Sequence, residues 1–200
     1  DGLTGEGRVL GNDAEGLHLS VTLDTPPPPR AGLTLLLAIP RPKALKKVLP
    51  AVASLGVDRM ILVNAARVEK SYFDSKVLAP EAVRELLILG LEQARDTVLP
   101  EILVRERFRP FVEDELGALL EDVPLRLLPH PTAPTAMQAL HPLPKQPAVL
   151  AIGPEGGWVP FEIELLSRLG FLPVSLGPRI LRVEVAVPLL VGQLDLLRAG

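Results

Sequence analysis

The chain has 200 residues, of which 48% are hydrophobic and 22% are charged, and its formal net charge is −3. This length fits one large domain, or one domain with a fragment of another, and the apolar share is enough for a buried core. The lack of Cys excludes a disulfide framework and a thiol nucleophile, and because His18, His130 and His141 lack metal-ligand spacing we expect no metal site. No apolar run of about 18 residues predicts a membrane span and no signal peptide is visible, which favours a cytoplasmic protein.

The first residues of the chain alternate between polar and apolar side chains around several glycines, which is typical of short strands. We place two strands at residues 7–10 and 18–23, joined by a turn around Gly11-Asn-Asp13. A single hairpin is not stable by itself. Four prolines within residues 25–30 favour an extended linker, so a domain boundary divides residues 1–29 from residues 30–200.

Apolar strands alternate with amphipathic helices through the remainder of the chain. Strands are predicted at residues 33–39, 59–63, 102–104, 124–128, 148–152 and 171–176, and helices at residues 42–55, 80–99, 111–120, 160–169 and 180–197. This alternation predicts an α/β domain with a parallel sheet. The last helix is apolar on more than one stripe, which predicts a homodimer contact, and Pro188 should kink or interrupt it.

Two glycine-containing loops follow the last two predicted strands. The first glycine loop is Ile152-Gly-Pro-Glu-Gly-Gly157, and the second glycine loop is Leu176-Gly-Pro-Arg-Ile-Leu-Arg182. Glycine lets backbone N–H and C=O groups come close to a ligand, and the carboxyl ends of neighbouring strands are the usual position of a site in an open α/β sheet. The two loops therefore predict one small-molecule site. Neither loop is followed by Gly-Lys-Ser/Thr, which argues against a phosphate-binding loop.

Residues 176–186 read Leu-Gly-Pro-Arg-Ile-Leu-Arg-Val-Glu-Val-Ala, and with the first glycine loop and Gly90-Leu-Glu-Gln-Ala-Arg95 they resemble the ribosomal RNA small subunit methyltransferase E family. The resemblance covers residues 31–200. It implies the SPOUT class: an α/β methyltransferase domain with a parallel sheet and a trefoil knot, assembled as a homodimer whose active sites use both subunits. It implies S-adenosylmethionine as the cofactor and N3 of a uridine in 16S ribosomal RNA as the methyl acceptor. It also implies that the hairpin is a fragment of a PUA-like, RNA-binding β-barrel whose first half precedes Asp1.

Two positions depart from the pattern of that family. Val185 stands where the family has Thr, and residues 51–56 lack a Glu that the family commonly carries. Three alternatives to methylation of uridine N3 therefore stay open. They are methylation of a different RNA position, methylation of a ribose 2′-oxygen, and a non-catalytic relative that only binds RNA or the cofactor.

The resemblance implies a set of cofactor-binding residues in the two glycine loops and at one further strand end. Backbone groups would recognise adenine and ribose, and apolar side chains would form the walls of the adenine site. The set comprises His130, Ile152, Gly153, Pro154, Glu155, Gly156, Gly157, Leu176, Gly177, Ile180 and Leu181. Alternatively, His130 would be an exposed loop residue, and Glu155 would accept main-chain N–H groups at the start of the next helix. Trp158 would be either a base-stacking platform or a core residue.

Arg179, Arg182 and Glu184 are the candidate catalytic residues. The two arginines are three positions apart and share a helix face if the helix begins before them. Because an unpaired cation in an apolar stretch is costly, we expect an anionic partner, which would be RNA phosphate, the cofactor carboxylate, Glu184 or Glu155. An arginine would stabilise the uracil anion that forms at N3, and Glu184 or water would accept the N3 proton.

A chain of net negative charge that binds 16S rRNA or the small ribosomal subunit needs a local basic patch. The candidates are an N-terminal group, Arg41, Lys43, Lys46 and Lys47, and a central group, Arg105, Arg107 and Arg109. The alternative is that both groups are solvated faces beside acidic neighbours.

Overall fold

The computed structural model describes residues 2–198 and begins with an antiparallel hairpin of β1 (Thr4–Asp13) and β2 (Gly16–Thr25). Both strands are longer than predicted, and the predicted turn at residues 11–13 is wrong, because the turn lies at residues 14–15. The Asp13 carboxylate accepts the main-chain N–H of Glu15 at 2.9 Å, which stabilises the turn at that point. The apolar side chains of the hairpin are exposed, and within residues 2–198 none of them joins a core cluster.

The proline-rich linker ends at Arg30, which fastens the chain to the α/β body. Its guanidinium donates to the main-chain oxygen of Val98 at 3.0 Å and pairs with Asp58 at 3.4 Å and Asp96 at 3.5 Å. These contacts hold the end of the linker against the α/β body. Asp1 and residues 199–200, the outer ends of the two predicted domain ranges, lie outside the described residues.

Six parallel strands form the sheet of the α/β body. They are β3 (Leu33–Ala38), β4 (Arg59–Val63), β5 (Glu101–Arg105), β6 (Leu125–Pro129), β7 (Ala148–Ile152) and β8 (Leu172–Val174), arranged in the order β5-β4-β3-β7-β6-β8. β3 and β7 are buried on both faces, which explains why β7 reads as a continuous apolar run and β3 as an apolar run interrupted only by Thr34. The prediction of a parallel α/β sheet is confirmed.

Helices cover both faces of this sheet. They are α1 (Pro42–Ser54), α2 (Pro80–Ala94), α3 (Phe108–Pro110) with a π-helical turn (Phe111–Glu115), α4 (Leu116–Leu119), α5 (Pro160–Arg168) and α6 (Val183–Arg198). Alternate residues of β7 face opposite layers: Leu150 packs with α1, α2 and α6, and Ala151 packs with α4 and α5. Within residues 2–198 the structure holds no helix with the length and apolar content needed to span a membrane.

Gly90 allows α2 to pack closely against α1. A Cβ at this position would lie 2.1 Å from the main-chain oxygen of Pro50 and 2.9 Å from the Ala53 side chain. Gly90 belongs to the segment that resembles the methyltransferase family, and here that residue serves helix packing.

Helix boundaries are where sequence and structure differ most. α2 ends at Ala94, five residues before the predicted end at Leu99, because Arg95 takes a left-handed conformation with φ 54° and caps the helix. α6 begins at Val183, three residues after the predicted start. The condition under which Arg179 and Arg182 would share a helix face is therefore not met, because both precede the helix. Pro188 does not interrupt α6, which continues through it.

Candidate functional site

A cavity of ≈ 290 Å³ lies at the carboxyl ends of β6, β7 and β8. The two glycine loops, the segment after β6 and the first turns of α6 surround it. All eleven residues predicted to bind the cofactor line this one cavity: His130, Ile152, Gly153, Pro154, Glu155, Gly156, Gly157, Leu176, Gly177, Ile180 and Leu181. The arrangement has the position and the mainly apolar lining of a small-molecule site.

The first glycine loop turns back on itself. The N–H of Gly157 donates to the main-chain oxygen of Pro154 at 2.7 Å, and Gly157 has φ 73°, a conformation that L side chains rarely adopt. Gly153 is needed for a different reason, because a Cβ there would lie 3.1 Å from the Trp158 ring. The conformation and packing of the protein itself therefore favour glycine at these positions, in addition to any effect of a ligand.

Trp158 is a core residue. Only 3% of its surface is exposed. The indole N–H donates to the main-chain oxygen of Ala151 at 3.3 Å, and the ring packs against Phe108 with centroids 5.5 Å apart. Trp158 lines the cavity with little exposed surface, so the indole lacks the free face that a base-stacking platform requires.

Glu155 does not cap the next helix, so that alternative from the sequence is wrong. Its carboxylate accepts the Arg41 side chain at 3.2 Å and the Arg41 main-chain N–H at 3.4 Å. The capping role belongs to Glu162, whose carboxylate accepts the N–H of Val159 at 2.9 Å at the start of α5. Within residues 2–198 no ion pair joins Glu155 to Arg182.

The second glycine loop is open. Gly177 has φ 115°, and a Cβ there would meet nothing within 4 Å. Leu176 and Leu181 line the cavity, Arg179 reaches it from an exposed position, and the side chain of Ile180 is 81% exposed. The loop thus supplies apolar wall and one cation without close packing of its own.

His130 lines the cavity from the end of β6, which is the first of its two predicted positions. Its main-chain N–H donates to Val174 at 2.8 Å. The ring Nδ1 accepts the main-chain N–H of Thr132 at 3.3 Å and lies 3.0 Å from the Thr132 hydroxyl. Because Nδ1 accepts, a neutral His130 carries its proton on Nε2 and can donate there.

Arg182 and Glu184 do not line the cavity of their own chain. Arg182 is exposed, so the expected penalty for burying an unpaired cation does not arise. Glu184 lies 3.5 Å from Lys47. Its own main-chain N–H at the start of α6, and then the positive charges of Lys47 and Arg182, lower the pKa of its carboxyl.

The two basic groups have different surroundings. In the central group, Arg105 pairs with Glu115 at 2.8 Å and Arg109 pairs with Glu113 at 3.0 Å, which fits a solvated face beside acidic neighbours. The N-terminal group borders the cavity, because Arg41 contacts the first glycine loop. Among residues 2–198 no cluster of three His, Asp or Glu side chains has the geometry to hold a metal ion.

Sequence reasoning missed several residues that surround the cavity. They are Arg67, Pro129, Pro131, Thr132, Val183, Ala186 and Leu190. Arg67 contributes a second cation beside Arg179 and follows β4, far from both glycine loops in the sequence. Residues after strand ends are the signal that could have found Arg67, because parallel strands end at one edge of the sheet.

Residues 27–195 match the RNA methyltransferase domain family. Ribosomal RNA small subunit methyltransferase E of Treponema pallidum is 36% identical over 154 residues, which cover 77% of this chain and 58% of that protein. The protein of the same name from Synechocystis is 30% identical over 167 residues, which cover 82% of this chain and 53% of that protein. The chain thus spans a little over half the length of these curated relatives.

Solved structures share the fold. A Legionella pneumophila methyltransferase structure in complex with bound SAM has a TM-score of 0.70 at 25% identity and covers 96% of this chain and 78% of that chain. The SpoU methyltransferase AviRb of Streptomyces viridochromogenes has a TM-score of 0.58 at 16% identity, covers 92% of this chain and 68% of that chain, and shows the fold alone. The resemblance to ribosomal RNA small subunit methyltransferase E is confirmed, and the chain belongs to the RNA methyltransferase domain family.

Proposed function

We propose that this chain carries the catalytic domain of an S-adenosylmethionine-dependent enzyme that methylates N3 of a uridine in 16S ribosomal RNA. The observation that carries the proposal is the convergence of both glycine loops on one cavity at the strand ends, in a chain of the RNA methyltransferase domain family. We also propose the cytoplasm as its location, because its partner is the 16S rRNA or the small ribosomal subunit.

The cavity suits a cofactor with one apolar, aromatic end and one charged end. Ile152, Leu176 and Leu181 provide apolar walls for an adenine ring, and main-chain groups of the two loops provide hydrogen bonds to its edge. Arg179 provides positive charge at the same cavity for a carboxylate. We assign all eleven predicted residues of the cavity to cofactor binding.

Methyl transfer from a sulfonium needs alignment of sulfur, carbon and nucleophile, so this domain acts mainly by positioning. Arg179 lines the cavity, and we assign to it the stabilisation of the anion that forms when uridine N3 loses its proton. For Glu184 to accept that proton its pair with Lys47 must open, and its lowered pKa makes it a weak base. Water is the alternative acceptor, and no metal takes part in this scheme.

The finer fold of the proposal is the trefoil knot of the SPOUT class. β8 pairs with β6 and not with β7, so the chain that leaves β7 must cross β6 before it reaches the second glycine loop and α6. This crossing supports the knot. The hairpin of β1 and β2 would complete a PUA-like barrel that binds RNA, with residues 1–29 and 30–200 as the two domains.

A homodimer is part of the same proposal. Three apolar side chains of α6 are strongly exposed: Val185 at 47%, Leu189 at 41% and Leu196 at 72%. A monomer gains nothing from this surface, and a second copy would bury it. Arg182 and Glu184 lie at the start of α6 outside their own cavity, so in a dimer they would serve RNA bound at the partner's cofactor.

The test is methyl transfer from labelled S-adenosylmethionine to small ribosomal subunits and to free 16S rRNA, followed by nucleoside chromatography with mass detection. We expect the label in 3-methyluridine. Label in a 2′-O-methylated nucleoside would replace the proposal with the ribose alternative. Cofactor binding by calorimetry without transfer to either substrate would favour the non-catalytic relative, for which Val185 in place of Thr is the motivating observation.

A further inference from the structure

The Arg67 side chain lies against Gly156. A Cβ at Gly156 would lie 2.8 Å from Cδ and 3.3 Å from Cβ of Arg67. Gly156 is not among the glycines with positive φ, so its backbone conformation would accept another residue. The Arg67 stem therefore occupies the space that any side chain at position 156 would need.

The same side chain also holds the loop by a hydrogen bond. The Arg67 guanidinium Nη1 donates to the main-chain oxygen of Gly156. The other polar atom of that peptide group, the N–H of Gly157, donates to Pro154. Both polar atoms of the 156–157 peptide thus have a partner within the protein, so this peptide anchors the loop.

The segment just before Arg67 is held in place by a buried carboxylate. Glu162 is 3% exposed, and it accepts the N–H of Ala66, next to Arg67, at 2.7 Å. Asn64 fixes the other end of this short segment, because its amide donates to the main-chain oxygen of Glu106 at 3.0 Å and its carbonyl accepts the N–H of Ala65 at 2.9 Å. Residues 64–66 therefore form a rigid base for the Arg67 side chain.

We propose that Arg67 is a positioning residue that sets the first glycine loop in its cofactor-binding conformation, and that Arg67 and Gly156 act as one unit. The inference rests on the proposed function for the identity of the ligand, S-adenosylmethionine. Arg67 reaches the cavity, but it acts through the 156–157 peptide.

Hydrogen exchange in the absence of cofactor tests the loop directly. In Arg67→Ala the Gly157 amide should exchange about tenfold faster or more, because the peptide loses a hydrogen bond to a charged donor. Arg84→Ala is the matched control, since Arg84 is an exposed arginine on α2 away from the cavity, and it should exchange as the wild type does. An unchanged Gly157 rate in Arg67→Ala would overturn the inference.

Cofactor affinity gives the second readout. Arg67→Ala should raise the calorimetric Kd for S-adenosylmethionine about tenfold or more, while the transfer rate at saturating cofactor stays within about twofold of wild type. A normal Kd with a lost transfer rate would make Arg67 a catalytic residue and overturn the positioning role. A wild type that fails to bind S-adenosylmethionine would overturn the proposed function, and the exchange measurement would still decide the role of Arg67.

A double-mutant cycle tests whether the two residues are one unit. Gly156→Ala alone should raise the Kd for S-adenosylmethionine, because its methyl group displaces Arg67. The same substitution should have little further effect when it is added to Arg67→Ala. Additive effects of the two substitutions would overturn the coupling. Thermal melts of all three variants identify any loss that comes from unfolding.

Discussion

The two glycine loops look alike in the sequence and differ in how the protein holds them. The first is fixed at three points, where Gly153 packs on Trp158, Glu155 pairs with Arg41 and Gly156 bonds to Arg67. In the second, residues 177–181 make no hydrogen bond or ion pair within the described part of the chain. The wall of the cavity that the first loop forms is therefore preset by contacts within the protein. The wall that the second loop forms lacks such contacts.

Their places in the sheet explain this difference. The first loop follows β7, which lies inside the sheet and is buried along its whole length. The second follows β8, an edge strand of three residues, and leads into α6, which exposes apolar side chains. A loop at the edge has fewer neighbours to hold it, so we expect the second copy of the chain to complete its surroundings.

The largest expected effect is on the first glycine loop. Gly156→Val should raise the Kd for S-adenosylmethionine by more than about a hundredfold, because a branched side chain collides with Arg67 and displaces the loop. Calorimetry measures the change. Gly11→Val is the control, since a Cβ at Gly11 in β1 meets nothing within 4 Å. Equal affinities of Gly156→Val and wild type would show that the loop is not preset.

The next largest effect concerns the second glycine loop and α6, the helix that follows it. Leu189→Asp should raise the dimer dissociation constant about a hundredfold, because the interface would bury an unpaired charge. Light scattering across a concentration series measures it. Leu89→Asp on α2, where the leucine is 56% exposed, is the control and should leave the dimer intact. A wild type that is monomeric at micromolar concentration would remove the dimer from the proposal.

Arg182→Ala should lower single-turnover methyl transfer about tenfold to a hundredfold, if Arg182 contacts RNA or the uracil anion. Its melting temperature and cofactor Kd should stay near those of wild type, because the side chain is exposed and lies outside the cavity. Arg182→Lys should recover only part of the rate, since Lys lacks the planar fork. Normal transfer by Arg182→Ala would remove this residue from the catalytic candidates.

The framework of the molecule could be predicted from the sequence because it depends on local patterns. β7 is an unbroken apolar run, β3 is apolar except at Thr34, and α1 and α5 begin at prolines that suit a first turn. Helix ends were harder, because Arg95 takes the left-handed conformation that usually marks a glycine. A single sequence carries no local signal for that choice.

The sequence predicted the two glycine loops of the candidate site but not the contacts that hold the first of them. Arg67 and Gly156 are 89 positions apart, and Ala66 and Glu162 are 96 positions apart. Such pairs form only when the parallel sheet brings strand ends together. The motif therefore located the loop, and the tertiary contacts show that a side chain at position 156 would displace Arg67.

The smallest expected effect is a pH dependence at the start of α6. Folding lowers the pKa of Glu184, through its own main-chain N–H first and then through Lys47 and Arg182. The fold thus binds the ionised carboxylate more strongly than the unfolded chain does. This contribution is fully present above the ordinary pKa of Glu, about 4.3, and is lost as pH falls through the lowered value.

Urea unfolding of wild type and Glu184→Gln at neutral pH and at about pH 3 measures this contribution. The wild type should be slightly more stable at neutral pH, and the difference should shrink in acid, where the carboxyl becomes neutral like the amide. Glu85→Gln, at an exposed position on α2, controls for the general loss of one negative charge. Lys47→Met should remove only part of the effect, because the main-chain N–H of Glu184 remains. A stability difference of the same size at both pH values would mean that Glu184 stabilises the start of α6 by packing and not by charge, and the open loop would then lack an electrostatic anchor at its helix end.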